Sequence, residues 1–188
     1  MAEATLFTLL VGILIVAIMA TFHIMIHPAW VLGFLTLLLI PGFYAAIKSG
    51  PFVPSSRKRH QDMMKLANLK KTDVVYDLGC GDGRLVFHSA PHVKKAIGYE
   101  LSIPLVISGK SRQLFNPKHA RIRFGNIWTQ DYSDATVIYC YLLPKAMKQF
   151  FVEVWPKLKP GTRVISNAFQ MHDLKPQKEL EKVYLYVK

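Results

Sequence analysis

From Ala4 to Ile47 the chain carries no Lys, Arg, Asp or Glu. A charge-free run of 44 residues is too long for one membrane-crossing helix, which takes about 20 residues. It divides at His27-Pro28, because the residue before a proline is pushed out of helical geometry. Thr5–Ile26 then holds 22 residues and Ala29–Ile47 holds 19, each close to what a hydrocarbon core of about 30 Å requires. The sequence therefore predicts a transmembrane helical hairpin, with spans at about 5–26 and 29–47, in an anchor covering 1–48. A secretory leader is the competing reading. It needs a basic start and a short apolar core, whereas this chain starts with Glu3, lacks an early base and runs apolar for far longer.

The rest of the chain is the opposite in character. All 24 Lys and Arg, and 11 of the 12 Asp and Glu, lie in Lys48–Lys188. That part carries a net +13 over 141 residues. Such segregation excludes an ordinary soluble enzyme and a many-span transporter. Lys48, Arg57, Lys58 and Arg59 follow the second span closely, while the His27-Pro28 turn has no base. The globular part, 49–188, is thus expected on the cytoplasmic face of a bacterial inner membrane, or in the matrix if the membrane is mitochondrial. Cys80 and Cys140 are the only cysteines; with no Cys/His cluster, no metal site is expected.

Within 49–188, short apolar runs alternate with helical ones. Strands are expected at Val74–Asp77, Ala96–Glu100, Ile122–Gly125, Thr136–Tyr141, Arg163–Asn167 and Val183–Val187. Helices are expected at Arg57–Ala67, Arg84–Ala90, Pro104–Phe115 and Pro144–Leu158. Alternation of this kind gives an α/β fold with a mostly parallel, Rossmann-like sheet and right-handed crossovers. Ligands then bind beyond the carboxyl ends of the strands. There the chain reads Asp77-Leu-Gly79-Cys-Gly81-Asp-Gly83-Arg84. Glycines let the backbone turn sharply and a ligand approach it. Glu100 ends the next strand, where an acid grips a ribose diol. Asp77, two residues ahead of the first glycine, suits a positive group beside the loop. A nucleoside with an amino-acid tail meets both demands, which points to S-adenosyl-L-methionine. A nicotinamide enzyme would need a second substrate domain, for which the chain has no room.

Asp77-Leu-Gly-Cys-Gly-Asp-Gly83 resembles the glycine motif of class I S-adenosylmethionine-dependent methyltransferases. With Pro51-Phe-Val-Pro54, Gly98-Tyr-Glu100, Leu158-Lys-Pro-Gly-Thr-Arg-Val164 and the Val183–Val187 ending, the chain resembles the archaeal broad-specificity protein-lysine methyltransferases. It is also similar to the mitochondrial membrane-anchored lysine methyltransferases of the FAM173 family. The resemblance covers about Pro51–Lys188. It implies that Asp77, Gly79, Cys80, Gly81, Asp82 and Arg84 form the cofactor loop and that Glu100 and Leu101 hold the ribose side. Asn126 and Ile127 would lie at the adenine. Pro51, Phe52, Val53 and Pro54 would cover the substrate entrance. The Asn/Asp-Pro-Pro-aromatic motif used on base amines and amides is replaced here by Tyr139-Cys-Tyr141-Leu-Leu-Pro144. That leaves Tyr139 and Tyr141, with Asn126, as candidates to position a lysine. The segment between Asn167 and Val183 looks short, so strand six is expected to be reduced or missing.

The function implied is methyl transfer to a protein lysine near or in a membrane. Two alternatives stay open: methylation of a lipid or small apolar molecule, and a non-catalytic membrane scaffold. Lack of the Pro-Pro-aromatic motif, and the anchor, speak against a nucleic-acid substrate. His60, His88, His92 and His119 show no partner pattern and read as surface residues.

Overall fold

The computed structural model describes residues 13, 17, 27–33, 36, 53–115, 119–171 and 174–188. The expected spans lie almost wholly outside them. Ile13, Ala17, 28–33 and Thr36 are helical, and His27 caps the helical residues after it by accepting from Ala29 N–H through Nδ1 at 3.3 Å. Among the described residues no helix is long and apolar enough to cross a membrane. The expected membrane hairpin and the entrance residues Pro51 and Phe52 fall outside the described residues.

The globular part begins with α1 (Arg57–Ala67). Ser56 caps it, its hydroxyl accepting from Arg59 N–H, and Asn68 ends it in the left-handed region at φ 47°. Then follow β1 (Val74–Leu78), α2 (Arg84–Ser89), β2 (Lys95–Glu100), α3 (Ile103–Gln113), β3 (Ala120–Phe124), β4 (Val137–Cys140), α4 (Pro144–Glu153), β5 (Arg163–Asn167), β6 (Lys178–Leu180) and β7 (Val183–Val187). One seven-stranded sheet results, in the order β3-β2-β1-β4-β5-β7-β6. Strands β1 to β5 are parallel, and β7 runs antiparallel to β5 and β6. The short sixth strand is present, reduced to three residues.

Both faces of the sheet are covered. On one, Met63 and Ala67 of α1 and Leu85, Val86 and Phe87 of α2 pack on Val75, Val137, Tyr139 and Ile165. On the other, Ala146, Met147 and Phe150 of α4 meet Leu78, Ile138, Cys140 and Tyr186. The near-continuous burial of β1, β2, β4 and β5 is what a doubly covered parallel sheet imposes. The amino ends of the strands are clamped by Arg163, which meets Asp73 at 2.5 Å and donates to Asn68 O at 2.7 Å. Asp73 also accepts from Lys70 N–H and Thr136 Oγ1. Burial opposes the Asp73 charge, but these donors outweigh it and hold the carboxyl below its ordinary range.

Candidate active site

The sheet reverses between β1 and β4, and the glycine loop sits there, at the carboxyl ends of the strands. Gly79, Gly81 and Gly83 adopt φ +74°, +58° and +80°. Side chains are strained in that region and glycine is not. Gly79 N–H and Cys80 N–H both donate to Tyr99 O, at 2.9 and 3.0 Å, which folds the loop over β2. The fold over β2 is possible because β2 has Gly98: a Cβ there would lie 2.4 Å from Cys80 Sγ. Cys80 thus serves as a plug packed on β2, and burial raises its thiol well above its ordinary value. A Cβ on Gly79 would meet nothing within 4 Å, so the loop faces open space on its outer side.

Glu100 is fixed by three backbone donors. Gly81 N–H reaches Oε2 at 3.0 Å, and Leu101 and Ser102 N–H reach Oε1 at 2.8 and 2.7 Å. An ionised carboxylate has about four acceptor positions, so Oε2 retains capacity for a ligand hydroxyl. Gly125 N–H donates to Glu100 O at 3.0 Å, which brings Asn126 to the same end of the sheet. Asn126 is exposed there, its Oδ1 accepting from Trp128 N–H, and Ile127 is buried behind it.

Asp77 is 7% exposed and accepts no hydrogen bond among the described residues. Burial, with Glu100 nearby, pushes its carboxyl up to about 7. A buried acid with no protein donor, beside an open glycine loop, is what a cationic ligand group would satisfy. The residues therefore fit S-adenosylmethionine. Asp82 and Arg84 are brought together, Arg84 Nε lying 2.9 Å and an Arg112 guanidinium nitrogen 3.1 Å from Asp82 Oδ2. These ion pairs tie the loop to α3, a strut the sequence did not announce.

The acceptor side differs from the sequence expectation in one residue. Tyr139 is fully buried in the core beneath α1 and α2, beside Asp77 in the strand register. It belongs to β4, and successive side chains point to opposite faces, so it lies one layer inside the strand ends and frames no channel. Burial raises its hydroxyl far above the ordinary value. Tyr141 lies two residues on, exposed, and stacks on Phe169 with centroids 6.3 Å apart. Val53 and Pro54 are exposed and extended.

Asn167, read only as a strand end, joins this group. It is 3% exposed. Its Nδ2 donates to Ser55 Oγ at 3.4 Å, while its Oδ1 is buried without a partner among the described residues. The next residue, Ala168, has φ +66°, an unfavourable region for a side chain. The sharp turn there places Phe169 against Tyr141. Strand ending and polarity were the only sequence signals for Asn167; the Ser55 contact, 112 residues away, could not be read.

The fold and the cofactor site together define a class I S-adenosylmethionine-dependent methyltransferase. The ANTKMT methyltransferase-domain model matches residues 77–178. The chain belongs to the ANTKMT methyltransferase-domain family. It is 34% identical over 149 residues to a protein-lysine N-methyltransferase of Saccharolobus islandicus, covering 73% of this chain and 92% of that one. It is 29% identical over 121 residues to the human ATP synthase lysine N-methyltransferase, covering 63% of this chain and only 52% of the human protein. A crystal structure of an RNA methyltransferase from Salinibacter ruber in complex with S-adenosyl-L-homocysteine is 32% identical, with TM-score 0.67, covering 72% of this chain and 93% of that one.

Proposed function

We propose that this chain is a membrane-anchored protein-lysine N-methyltransferase acting on proteins in or beside the bilayer. The observation that carries the lysine reading is the 34% identity to the archaeal lysine enzyme along nearly its whole length. The anchor reading rests on the 44-residue charge-free run and the basic residues that follow it. They also favour a catalytic domain on the cytoplasmic or matrix side.

S-adenosylmethionine, when bound, supplies an electrophilic methyl on its sulfonium. Asp77 offsets the positive methionine end, Gly79 to Gly81 admit it to the backbone, and Glu100 takes ribose hydroxyls. Asn126, Leu101 and Ile127 flank the adenine. The acceptor nitrogen must be neutral with its lone pair aimed at the methyl. A lysine has an ordinary pKa near 10.4, and an apolar lining lowers it. Tyr141 and Phe169 supply such a lining. Asn167 Oδ1 accepts an amine N–H and so orients the lone pair, while Pro51–Pro54 cover the entrance. No strong base is needed for this step beyond the desolvation itself.

A second reading, methyl transfer to RNA, draws support from what the Salinibacter ruber structure is called and from the basic excess. Tyr139-Cys-Tyr-Leu-Leu-Pro144 in place of the Pro-Pro-aromatic motif weighs against a base amine. The test is transfer of labelled methyl groups by the purified chain into a membrane preparation, extracted separately as protein, lipid and RNA, with Glu100→Ala as control. Label is expected in protein, with none in the control. Label confined to lipid or RNA would replace this function by the corresponding one.

A further inference from the structure

From Leu101 to Gln130 the chain has five basic residues and no acidic one. The same 30 residues contain Ile103, Ile107, Leu114, Phe115 and Phe124, all large, apolar and exposed. Ile107 is 60%, Leu114 81% and Phe115 90% exposed. They are not scattered. At 3.6 residues per turn, Ile103, Ile107, Lys110 and Leu114 fall on one stripe of α3 and its C-cap. The opposite side of α3 is buried: Val106 faces the core, and Gly109 lets the helix approach β3, where a Cβ would lie 3.0 Å from the Ile122 side chain. Thus α3 is seated on the edge strand by one face and leaves an apolar, basic face outward. Arg121 and Arg123 project, exposed, from β3, and Phe124 ends it.

We infer that α3 and the β3 edge form an interfacial docking surface for an anionic lipid bilayer. Apolar side chains at i, i+4 and i+11, with lysine and arginine at the margin and no acid, are the composition of a helix that lies in the headgroup layer. Lysine stems reach along such a layer while the ammonium meets lipid phosphate. An isolated exposed leucine or phenylalanine is ordinary, but a contiguous patch is not. The bilayer as occupant rests on the membrane reading above, since a charge-free run of 44 residues would hold this domain against lipid.

The orientation has a consequence for substrate choice. Strands β2 and β3 are parallel, so the crossover helix α3 runs antiparallel to them. Laid flat, α3 holds the strands along the membrane plane. The carboxyl ends, with Asp77, Glu100 and Asn167, then open sideways at headgroup level. Lysines at the membrane surface of a neighbouring protein would be presented to that mouth, and those on distant soluble domains would not.

Hydroxyl-radical footprinting of the full chain in lipid nanodiscs reads these side chains directly. In discs containing phosphatidylglycerol, oxidation of Ile107, Leu114 and Phe115 is expected to fall at least about fivefold relative to detergent, as burial in the headgroup layer requires. Val152, exposed on α4, serves as the unchanged control. The double variant Ile107→Ser, Phe115→Ser is expected to keep methyl transfer to a soluble lysine peptide and lose it to a bilayer-embedded protein. Full oxidation of the α3 stripe in every disc would overturn the inference. Protection by RNA instead of lipid, or concentration-dependent protection in detergent from self-association, would also overturn it. The anchor reading fails separately: release of the chain from membranes by alkaline carbonate, with α3 still protected at neutral pH, would remove the anchor and leave this surface standing.

Discussion

Asp77 gives the site its most direct electrostatic signature. Its carboxyl is raised to about 7, first by burial and then by Glu100. At pH 7 it therefore holds about half a proton in the free protein. A positive cofactor group beside it favours the carboxylate, so binding must release that proton, and affinity must rise as pH climbs through 7. Calorimetry in buffers of different ionisation heat should show more proton release on S-adenosylmethionine binding by wild type than by Asp77→Asn, with weaker binding by the variant. Equal release by both would remove Asp77 from the cationic end of the cofactor. On the acceptor side, Asn167→Ala should leave cofactor affinity unchanged and lower kcat for lysine methylation by about tenfold or more, the weight of one orienting hydrogen bond in a desolvated site. Unchanged kcat in a folded variant would return Asn167 to a purely architectural role. The acids at the ends of β1 and β2 were legible in sequence because motif and strand ending coincide there. Tyr139 was misplaced by one layer because its strand ends at Cys140, and a boundary shift of one residue decides whether a side chain lines the cleft or the core.

Elements were legible where periodicity was strong. Arg57–Ala67, Arg163–Asn167 and Val183–Val187 fall where expected. The ends of α2 and α4 differ because each tightens into a 3-10 turn with a proline, at Ala90–His92 and Trp155–Lys157. Contacts between elements were not legible. Arg163 reaches Asp73, Ala67 and Asn68 across about 90 residues of sequence. Arg163→Ala leaves Asp73 buried and without its cation, and should cost about 3 kcal/mol in denaturant unfolding, with the denaturant slope unchanged. His60, expected at the surface, is instead buried on α1, its Nδ1 3.2 Å from Nδ1 of His88 on α2. Burial first, then His88 and Arg84, lower His60 to about 4 from its ordinary 6.5, against a small opposing pull from Asp82. The unfolded chain takes a proton below 6.5 and the folded chain does not until about 4. This contribution is therefore full above 6.5 and is lost as pH falls toward 4. Thermal unfolding followed from pH 7 to pH 5 should show a larger loss of Tm in wild type than in His60→Gln. Parallel pH profiles would mean that His60 charges freely in the fold.

At the scale of the whole molecule, the division of the chain was the plainest thing in the sequence: 44 residues without a charge, then 141 with a net +13. The second part builds a seven-stranded sheet whose carboxyl edge carries the cofactor loop, and whose basic, apolar flank lies on α3 and β3. The substrate could not be read from any single residue, because class I sheets of one topology serve many acceptors. Whether the acceptor is a protein lysine is decided most directly by amino-acid analysis of membrane proteins methylated by the purified full chain with methyl-labelled S-adenosylmethionine. Label is expected as N-methylated lysine and is expected to vanish with Glu100→Ala. Label recovered on any other residue, or only in nucleic acid or lipid, would contradict a lysine methyltransferase.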